Sequence, residues 1–297
     1  MENIICVLMA TYNGEKYLVE QIESILCQKD VDVRLFVRDD GSTDRTLEIL
    51  KRYEEAKKLS WYQGKHLNAA YGFWELLSKA PEAKYYAFSD QDDVWDEDKL
   101  YAAVTELEKV RNDFRLYACG TRLVDSKLNV IEDHKLDKKR TRYARLIFAH
   151  IPGNVMVFSN ELRKSVMNYT PQNMGMHDSW LYKYGVATGA EIILDEKPHI
   201  SYRQHERNVV GMEVGLKKKI KKFVKLLNDD KVYPQLMELR RVYYNKLDEG
   251  SKEILEKIEK GKNSISTRIS LAFNKKINFN NVMFDLVFKL KVIMWKF

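Results

Sequence analysis

Short apolar segments alternate with amphipathic helical patterns through the first half of this 297-residue chain. Residues 4–9, 33–37 and 85–88 are apolar-rich runs of strand length, and segments such as 18–26 repeat apolar residues at helical spacing. Strands of this kind are typical of a parallel sheet that helices cover on both faces. We therefore predict an α/β domain with a mostly parallel central sheet flanked by helices.

Three polar clusters follow these predicted strands at the point where each strand ends. They are Thr11-Tyr12-Asn13-Gly14, the segment Asp39–Asp44, and Asp90-Gln91-Asp92-Asp93. In open α/β sheets, ligands bind outside the carboxyl ends of the strands. We therefore expect the three clusters to meet on one rim and to form a ligand site there.

The cluster at 90–93 places three carboxylates within four residues, and their mutual repulsion costs stability unless a cation is present. Mg²⁺ and Mn²⁺ prefer oxygen ligands, and Mg²⁺ commonly combines one or two carboxylates with substrate phosphates. The pattern thus indicates a metal–diphosphate site. A solvated acidic turn that caps the next helix is the alternative, and we expect Asp96 and Asp98 to serve that helix start.

The first two clusters have simple structural explanations as turns, which explain most of their residues. Gly41 permits a tight turn, and Ser42 or Thr43 can cap the following helix. A turn does not require two adjacent acids at the strand end, and an acid there can accept hydrogen bonds from a nucleobase or a ribose. Tyr12 can stack on a base.

Two later segments add polar groups of possible catalytic use. Asp178 opens a helical segment and is either a general base toward a hydroxyl group or an ordinary helix cap. In the segment 202–208, His205 can ligate a metal, and Arg203 or Arg207 can bind a diphosphate. A structural role is the alternative for each of these residues.

Taken together, these segments resemble glycosyltransferase family 2, the inverting family with the GT-A fold, over residues 3–211. The resemblance rests on five motifs in order: Ala10-Thr11-Tyr12-Asn13-Gly14, Asp39-Asp40-Gly41-Ser42-Thr43-Asp44, Ser89-Asp90-Gln91-Asp92-Asp93-Val94-Trp95, Met176-His177-Asp178-Ser179-Trp180 and Tyr202-Arg203-Gln204-His205. The third and fifth resemble the rhamnosyltransferase-like branch that builds bacterial surface polysaccharides.

The resemblance implies a role for each matching position. Asp178 matches the catalytic base, Asp92 matches the metal-binding acid with Mn²⁺ or Mg²⁺ as cofactor, and His205 matches a histidine that completes that site in some relatives. The residues expected to bind the nucleotide-sugar donor are Thr11, Tyr12, Asn13, Asp40, Asp90, Arg203 and Arg207.

The implied activity is a metal-dependent transfer of one sugar to a glycan or lipid-linked acceptor, with dTDP-L-rhamnose as the expected donor. The Gln-x-x-Arg-Trp motif of processive members is absent from the sequence. A UDP-hexose donor and a binding module that has lost catalysis remain alternatives. A nucleotidyltransferase or a dinucleotide oxidoreductase would need a glycine-rich loop that the residues after the first strand do not provide.

The charge of +7 is unevenly distributed along the chain. Residues 212–297 contain 20 lysines and arginines against 10 acids, whereas residues 1–211 carry a small negative excess. We predict a catalytic domain over 1–211 and a helical, basic C-terminal region over 212–297.

Segments 215–228 and 282–297 combine apolar residues with lysines, which indicates either contact with an anionic membrane or packing on the catalytic domain. No nucleic-acid motif is present, so we expect no nucleic-acid partner. We expect a cytoplasmic protein, peripheral at the inner face of the membrane, with three free cysteines.

Overall fold

The fold is centred on one mixed sheet. A computed structural model describes residues 4–148, 151–204, 227–228 and 230–296. The sheet within these ranges has nine strands: β1 (Ile4–Thr11), β2 (Asp32–Asp39), β3 (Leu59–Gln63), β4 (Tyr85–Ser89), β5 (Val94–Trp95), β6 (Arg115–Val124), β7 (Val130–His134), β8 (Met156–Ser159) and β9 (Glu191–Arg203).

The strands run in the order β3-β2-β1-β4-β8-β6-β9-β5, and β7 pairs with β6. The pairs among β3, β2, β1 and β4 are all parallel, as the alternating sequence pattern predicts. Beyond β4 the sheet is mixed, because β8 is antiparallel to both β4 and β6 while β6 and β9 are parallel. The parallel half positions the ends of β1, β2 and β4 side by side.

Eleven α-helices lie within the described ranges: α1 (Leu18–Leu26), α2 (Thr46–Glu55), α3 (Ala69–Lys79), α4 (Lys99–Leu107), α5 (Arg142–Ile147), α6 (Asn160–Val166), α7 (His177–Ala187), α8 (Val232–Tyr243), α9 (Glu249–Gly261), α10 (Ile265–Ala272) and α11 (Val282–Met294). The helices expected near 18–26, 46–53, 68–78, 98–110 and 177–186 are present. Periodicity did not reveal α5 or α6, which are only six and seven residues long.

Burial follows the apolar pattern of the sequence. In β1, residues 5–9 are fully buried between the helical layers. On α1, Leu18, Ile22 and Ile25 face the sheet and are also fully buried, as their spacing predicts. Each such side chain contributes about 1.5–3 kcal/mol relative to an exposed one, so the sheet face holds the parallel half together.

The C-terminal region from residue 232 onward is helical, as expected, and α8 packs on the catalytic part. The Glu238 carboxylate accepts hydrogen bonds from the backbone N–H groups of Gln172 and Asn173, both at 2.7 Å, and from the Tyr169 hydroxyl at 2.8 Å. Helix α8 therefore holds the loop that leads into α7. The predicted boundary near residue 211 lies outside the described residues and stays a prediction.

No helix within the described ranges is long and apolar enough to cross a bilayer. The three cysteines are unpaired, with Cys6 and Cys119 buried and Cys27 exposed.

Gly120 in β6 occupies a position where the neighbouring strands leave no room for a side chain. A Cβ atom there would lie 2.7 Å from the carbonyl oxygen of Glu196 and 3.0 Å from that of His134. We expect Gly120→Ala to lower the free energy of unfolding by about 1–3 kcal/mol, because backbone must move. Chemical denaturation measures this change.

Gly185→Ala is the matched control. A Cβ at this helical position would meet its nearest atom at 3.5 Å, which is an ordinary contact. We expect this variant to be neutral or more stable by up to about 1 kcal/mol. Equal effects of the two substitutions would contradict the close approach at Gly120.

Candidate active site

The three polar clusters meet at the carboxyl ends of β1, β2 and β4, as the sequence predicts. Thr11 at the end of β1 is in register with Asp39 at the end of β2, and Met9 is in register with Ser89 at the end of β4. The Gln91 side chain then bridges to Tyr12, accepting from its N–H at 2.9 Å and donating to its carbonyl at 3.1 Å. The first and third clusters are thus tied directly together.

Asp39 organises the second cluster from inside. Its buried carboxylate accepts hydrogen bonds from the N–H groups of Gly41 and Ser42 at 2.9 Å, from the Ser42 hydroxyl, and from the Thr11 hydroxyl at 3.0 Å. Contrary to the expectation from its position, Ser42 does not cap α2. Its hydroxyl also accepts a hydrogen bond from the Asn13 N–H at 2.9 Å. Donor contacts by Thr11 stay a prediction.

Asp40 is 8% exposed and forms an ion pair with the fully buried Arg38. A buried carboxylate is stable only when it is paired, and the pair with Arg38 fixes the Asp40 side chain at the rim formed by the three polar clusters. The Arg38 guanidinium also lies 3.5 Å from the Glu75 carboxylate and donates to the Lys65 carbonyl at 2.6 Å. Arg38 is a site residue that sequence reasoning missed, although it stands directly before the paired acids.

Two rings stand above Asp40 at the surface. Tyr12 is 48% exposed, and its ring centroid lies 5.0 Å from that of His66. The His66 Nδ1 atom is 3.2 Å from the Asp40 carbonyl oxygen. Together, Tyr12 and His66 present aromatic faces beside the Asp40 backbone, which suits stacking on a planar base. His66 was not predicted, because a single histidine in a loop carries no pattern.

Asn13 holds the loop that carries Tyr12. It adopts a left-handed backbone conformation with φ of 47°, and its side-chain oxygen accepts from the Thr43 N–H at 2.8 Å. At the next position, a Cβ on Gly14 would collide with the Gln91 amide. Both residues shape the turn by local bonding, and donor binding by Asn13 stays a prediction.

The acidic loop after β4 concentrates negative charge at the centre of the rim. Burial, followed by the charges of Asp92 and Asp178, raises the pKa of Asp90 to about 7. Burial and the charges of Asp90 and Asp92 likewise raise the pKa of Asp93 well above its usual range. Asp90 therefore lies close enough to both Asp92 and Asp178 for mutual repulsion. A divalent cation would relieve that repulsion, so the donor set fits Mn²⁺ or Mg²⁺.

A buried polar network supports the acidic loop that follows β4. The Asp93 carboxylate accepts from the Asn154 amide at 2.6 Å, and the Lys99 ammonium donates to the Asn154 carbonyl at 2.7 Å. Lys99 is fully buried beside the Trp95 indole, and burial lowers its pKa to about 7 against the opposing charges of Asp93 and Asp90. The network connects the Lys99 amine to Asp93 through Asn154, and the sequence alone did not reveal it.

Arg203 braces the same loop from the side. Its nearly buried guanidinium donates to the carbonyls of Asp92 and Ser126, both at 2.9 Å, and pairs with Glu20. The guanidinium also lies 4.4 Å from the centre of the Tyr17 ring. Arg203 thus positions Asp92, while its predicted contact with the donor stays a prediction. The predicted His205 and Arg207 lie outside the described residues.

Asp178 lies in the first turn of α7 and contacts Gly153, next to Asn154 of the buried network. Its carboxylate accepts from the Gly153 N–H at 2.8 Å and from the Ser179 N–H at 2.6 Å. The side chain is partly exposed, so it retains an accessible face. The residue at the cap of α7 is Met176, and Asp178 is therefore not the capping residue.

The buried His177 side chain anchors the start of α7 in the core. Its ring stacks on Phe73 with centroids 4.1 Å apart and meets Phe88 edge-on at 4.7 Å. Neither ring nitrogen has a hydrogen-bond partner among the described residues. Burial lowers the pKa of His177 to about 4, so the ring is neutral at physiological pH and orients Asp178 through packing.

A second group of potential metal ligands lies beside the main site. Oxygens of Asp96 and Asp98 and a nitrogen of His199 lie within 4.8 Å of one another. Asp98 is the N-cap residue of α4, as expected, but neither acid caps the helix with its side chain. Asp96 pairs with Arg122 at 3.0 Å, and Asp98 contacts Lys197 at 3.0 Å and His199 at 2.8 Å. Arg122 and Lys197 already pair with the two acids, which favours an ion-pair network.

The sequence matches known glycosyltransferases. A sequence model described as glycosyl transferase family 2 matches residues 6–174. The chain is 32% identical to the dTDP-rhamnosyl transferase RfbG of Shigella flexneri over 72% of this chain and 77% of RfbG. The chain belongs to glycosyltransferase family 2. It is a glycosyltransferase of the rhamnosyltransferase-like type, which confirms the resemblance seen in the sequence motifs.

Solved structures of similar proteins share the fold of this family-2 glycosyltransferase. S. aureus TarS in complex with UDP-GlcNAc aligns over 98% of this chain and 90% of its own, with a TM-score of 0.58 at 16% identity. The Pyrobaculum calidifontis mannosyltransferase PcManGT, in complex with GDP-Man and Mn²⁺, aligns over 98% and 85% with a TM-score of 0.51 at 16% identity. The predicted GT-A fold is thereby confirmed.

His177 makes the stability of this glycosyltransferase depend on pH. The unfolded histidine takes up a proton near pH 6.5, but the folded one does so only near pH 4. The folded state is therefore disfavoured as the pH falls through this window. Between pH 7.5 and 4.5, we expect this residue to cost about 2–3 kcal/mol of stability.

Urea denaturation of the wild type and of His177→Leu at both pH values isolates the effect. The stability difference between the two proteins should shift by that amount in favour of the leucine variant at low pH. Parallel pH dependence of the two proteins would show that His177 does not remain neutral in the folded state.

Proposed function

We propose that this chain is an inverting, metal-dependent, non-processive glycosyltransferase. It transfers L-rhamnose from dTDP-L-rhamnose to a glycan or lipid-linked acceptor in bacterial cell-surface polysaccharide synthesis. The observation that carries the proposal is the placement of Asp178 against the acidic loop, where its charge contributes to raising the pKa of Asp90. One carboxylate thus faces a site suited to a cation and a diphosphate.

Asp178 acts as the general base in this mechanism. Its carboxylate takes the proton from the acceptor hydroxyl as the acceptor oxygen forms a bond to the anomeric carbon of the donor. The bond between that carbon and the diphosphate oxygen breaks in the same displacement, and the nucleoside diphosphate leaves. The N–H groups of Gly153 and Ser179 orient the carboxylate, and His177 anchors the helix turn that carries it.

The acidic loop holds the opposite end of the donor. Asp92 would ligate Mn²⁺ or Mg²⁺, which would supply electrostatic stabilisation for the diphosphate as it gains charge, and Asp90 would contact the donor near its ribose. Arg203 and the Lys99–Asn154–Asp93 network keep this loop in place. Tyr12, His66 and Asp40 receive the nucleobase, and His205 and Arg207 are further proposed contacts to the metal or the diphosphate.

The donor assignment is supported by the similarity to RfbG, whose name specifies dTDP-rhamnosyl transfer. A UDP-hexose is the second candidate donor, since the related fold of TarS is seen with UDP-GlcNAc. A lipid-linked acceptor would place the reaction at the inner face of the cell membrane, with the enzyme peripheral to it.

Asp178→Asn tests the general base. The amide keeps the size of the side chain but cannot accept the acceptor proton, so we expect kcat to fall by roughly 10²-fold or more while donor binding survives. Initial rates of sugar transfer and donor titrations measure the two effects. Glu161→Gln is the matched control, because Glu161 is an exposed acid in the first turn of α6. Near-normal turnover of Asp178→Asn would exclude this residue as the base.

A thermal-shift screen tests the donor and the metal. UDP, dTDP, GDP and their sugars are each added with Mn²⁺, Mg²⁺ or a chelator. A ligand at 100 times its dissociation constant stabilises the folded state by about 2.7 kcal/mol, which raises Tm by several degrees. We expect a metal-dependent shift with dTDP species that Asp92→Asn abolishes.

Each other result of this screen has a definite meaning. A shift with UDP species alone would replace the donor, and an equal shift in chelator would remove the metal from donor binding. The absence of any shift in folded protein would favour a binding module that has lost catalysis.

A further inference from the structure

Helix α10 exposes an apolar stripe on its outer face. Ile265, Ile269 and Phe273 recur at every fourth position and are 72%, 51% and 64% exposed. Because four residues make about one helical turn, the three side chains stand in one row. Leu271 is buried on the opposite face of the helix, and Ala272 is buried as well. The stripe is therefore fixed outward by packing on the other side.

Helix α11 carries a second stripe of the same kind. Val282, Leu286 and Ile293 are 85%, 48% and 45% exposed. Val287 and Val292 on the other face of the helix are buried in the core. As in α10, the buried face prevents the helix from rotating its exposed apolar side chains inward.

The two stripes form one continuous surface. The Arg268 guanidinium of α10 lies 3.5 Å from the Ile293 carbonyl oxygen, and the Lys289 ammonium of α11 lies 5.4 Å from the centre of the Phe273 ring. These contacts place the two helices side by side and antiparallel. We call this surface the α10–α11 face; it comprises Ile265, Ile269, Phe273, Val282, Leu286 and Ile293.

The charge around the α10–α11 face is strongly positive. Residues 261–297 contain seven lysines and arginines and a single acid, Asp285. Lys262, Lys275 and Lys296 are exposed next to the ends of the two helices. Lys291, which was expected among the membrane-facing lysines, is instead buried and donates to the Leu227 carbonyl at 3.2 Å. The predicted segment 215–226 lies outside the described residues.

We propose that the α10–α11 face docks on the surface of an anionic lipid bilayer. Contiguous exposed apolar residues on a soluble protein mark an interaction site, and basic residues around them match a negatively charged partner. In the docked state, the six apolar side chains enter the boundary between headgroups and acyl chains. The surrounding lysines remain at the level of the anionic headgroups.

This surface differs from the sequence expectation in both position and composition. Helix α10 contributes half of it, whereas the sequence pattern indicated membrane contact by segments 215–228 and 282–297. The proposal does not depend on the proposed catalytic function, since none of the six residues belongs to the active site.

Flotation of the full-length protein with vesicles tests this surface. Vesicles of phosphatidylcholine alone and with about 30% phosphatidylglycerol are compared at low and high salt. We expect binding to the anionic vesicles that weakens at least several-fold at high salt, because screening reduces the attraction between lysines and headgroups. No binding, or equal binding to neutral vesicles, would overturn the proposal of an anionic surface.

Two sets of variants locate the contact. Ile269→Ser/Phe273→Ser should reduce the bound fraction at least tenfold, and Lys262→Glu/Lys275→Glu/Lys296→Glu should abolish the preference for anionic lipid. Val130→Ser/Ile131→Ser is the matched control, because these β7 residues are 63% and 59% exposed and lie on another part of the surface. Unchanged binding of the α10 variant would overturn the assignment of the face.

Two further measurements distinguish membrane docking from misfolding and from self-association. The nucleotide-induced thermal shift should be the same in the wild type and in all of these variants, which separates loss of docking from loss of fold or donor binding. Light scattering reports the mass of the protein in solution. A dimer that Ile269→Ser/Phe273→Ser dissociates, without vesicle binding by the wild type, would assign the face to a second copy of the chain instead.

Discussion

The repulsion among the carboxylates at the end of β4 is the constraint that the surrounding structure must satisfy. Asp90, Asp92 and Asp93 lie in one short loop, and Asp178 approaches them from α7. A folded protein can hold so much like charge together only if other groups fix the loop and compensate its charge. Two buried basic side chains contribute to this: Lys99 acts through Asn154, and Arg203 donates to the Asp92 carbonyl.

These supports come from distant parts of the chain. Arg203 is the last residue of β9, whereas Asn154, which links Lys99 to Asp93, precedes β8. The mixed half of the sheet therefore has a direct role in the site, because it brings these two residues against the loop that follows the parallel half. A rigid site with an excess of negative charge is suited to receive a cation, which could in turn bind a diphosphate.

The position of Asp178 depends on the C-terminal region as well. The Glu238 carboxylate of α8 binds the backbone of the loop before α7, and His177 fills the space between Phe73 and Phe88. The loop and the first turn of α7 are thus fixed from two sides.

The sequence by itself determined the parallel half of the sheet, the helices that cover it and the meeting of three polar clusters at its rim, because each of these follows from local periodicity and from the chain order of strands. It also determined the family, through motifs that lie at strand ends.

Tertiary structure alone decided that Asp39 builds the turn while Asp40 pairs with Arg38, and that His66 joins Tyr12. It likewise decided that Arg203 supports Asp92, that Lys291 is buried, and that α10 shares an apolar face with α11. These features depend on which side chains meet between segments far apart in the chain, and periodicity carries no information about such contacts.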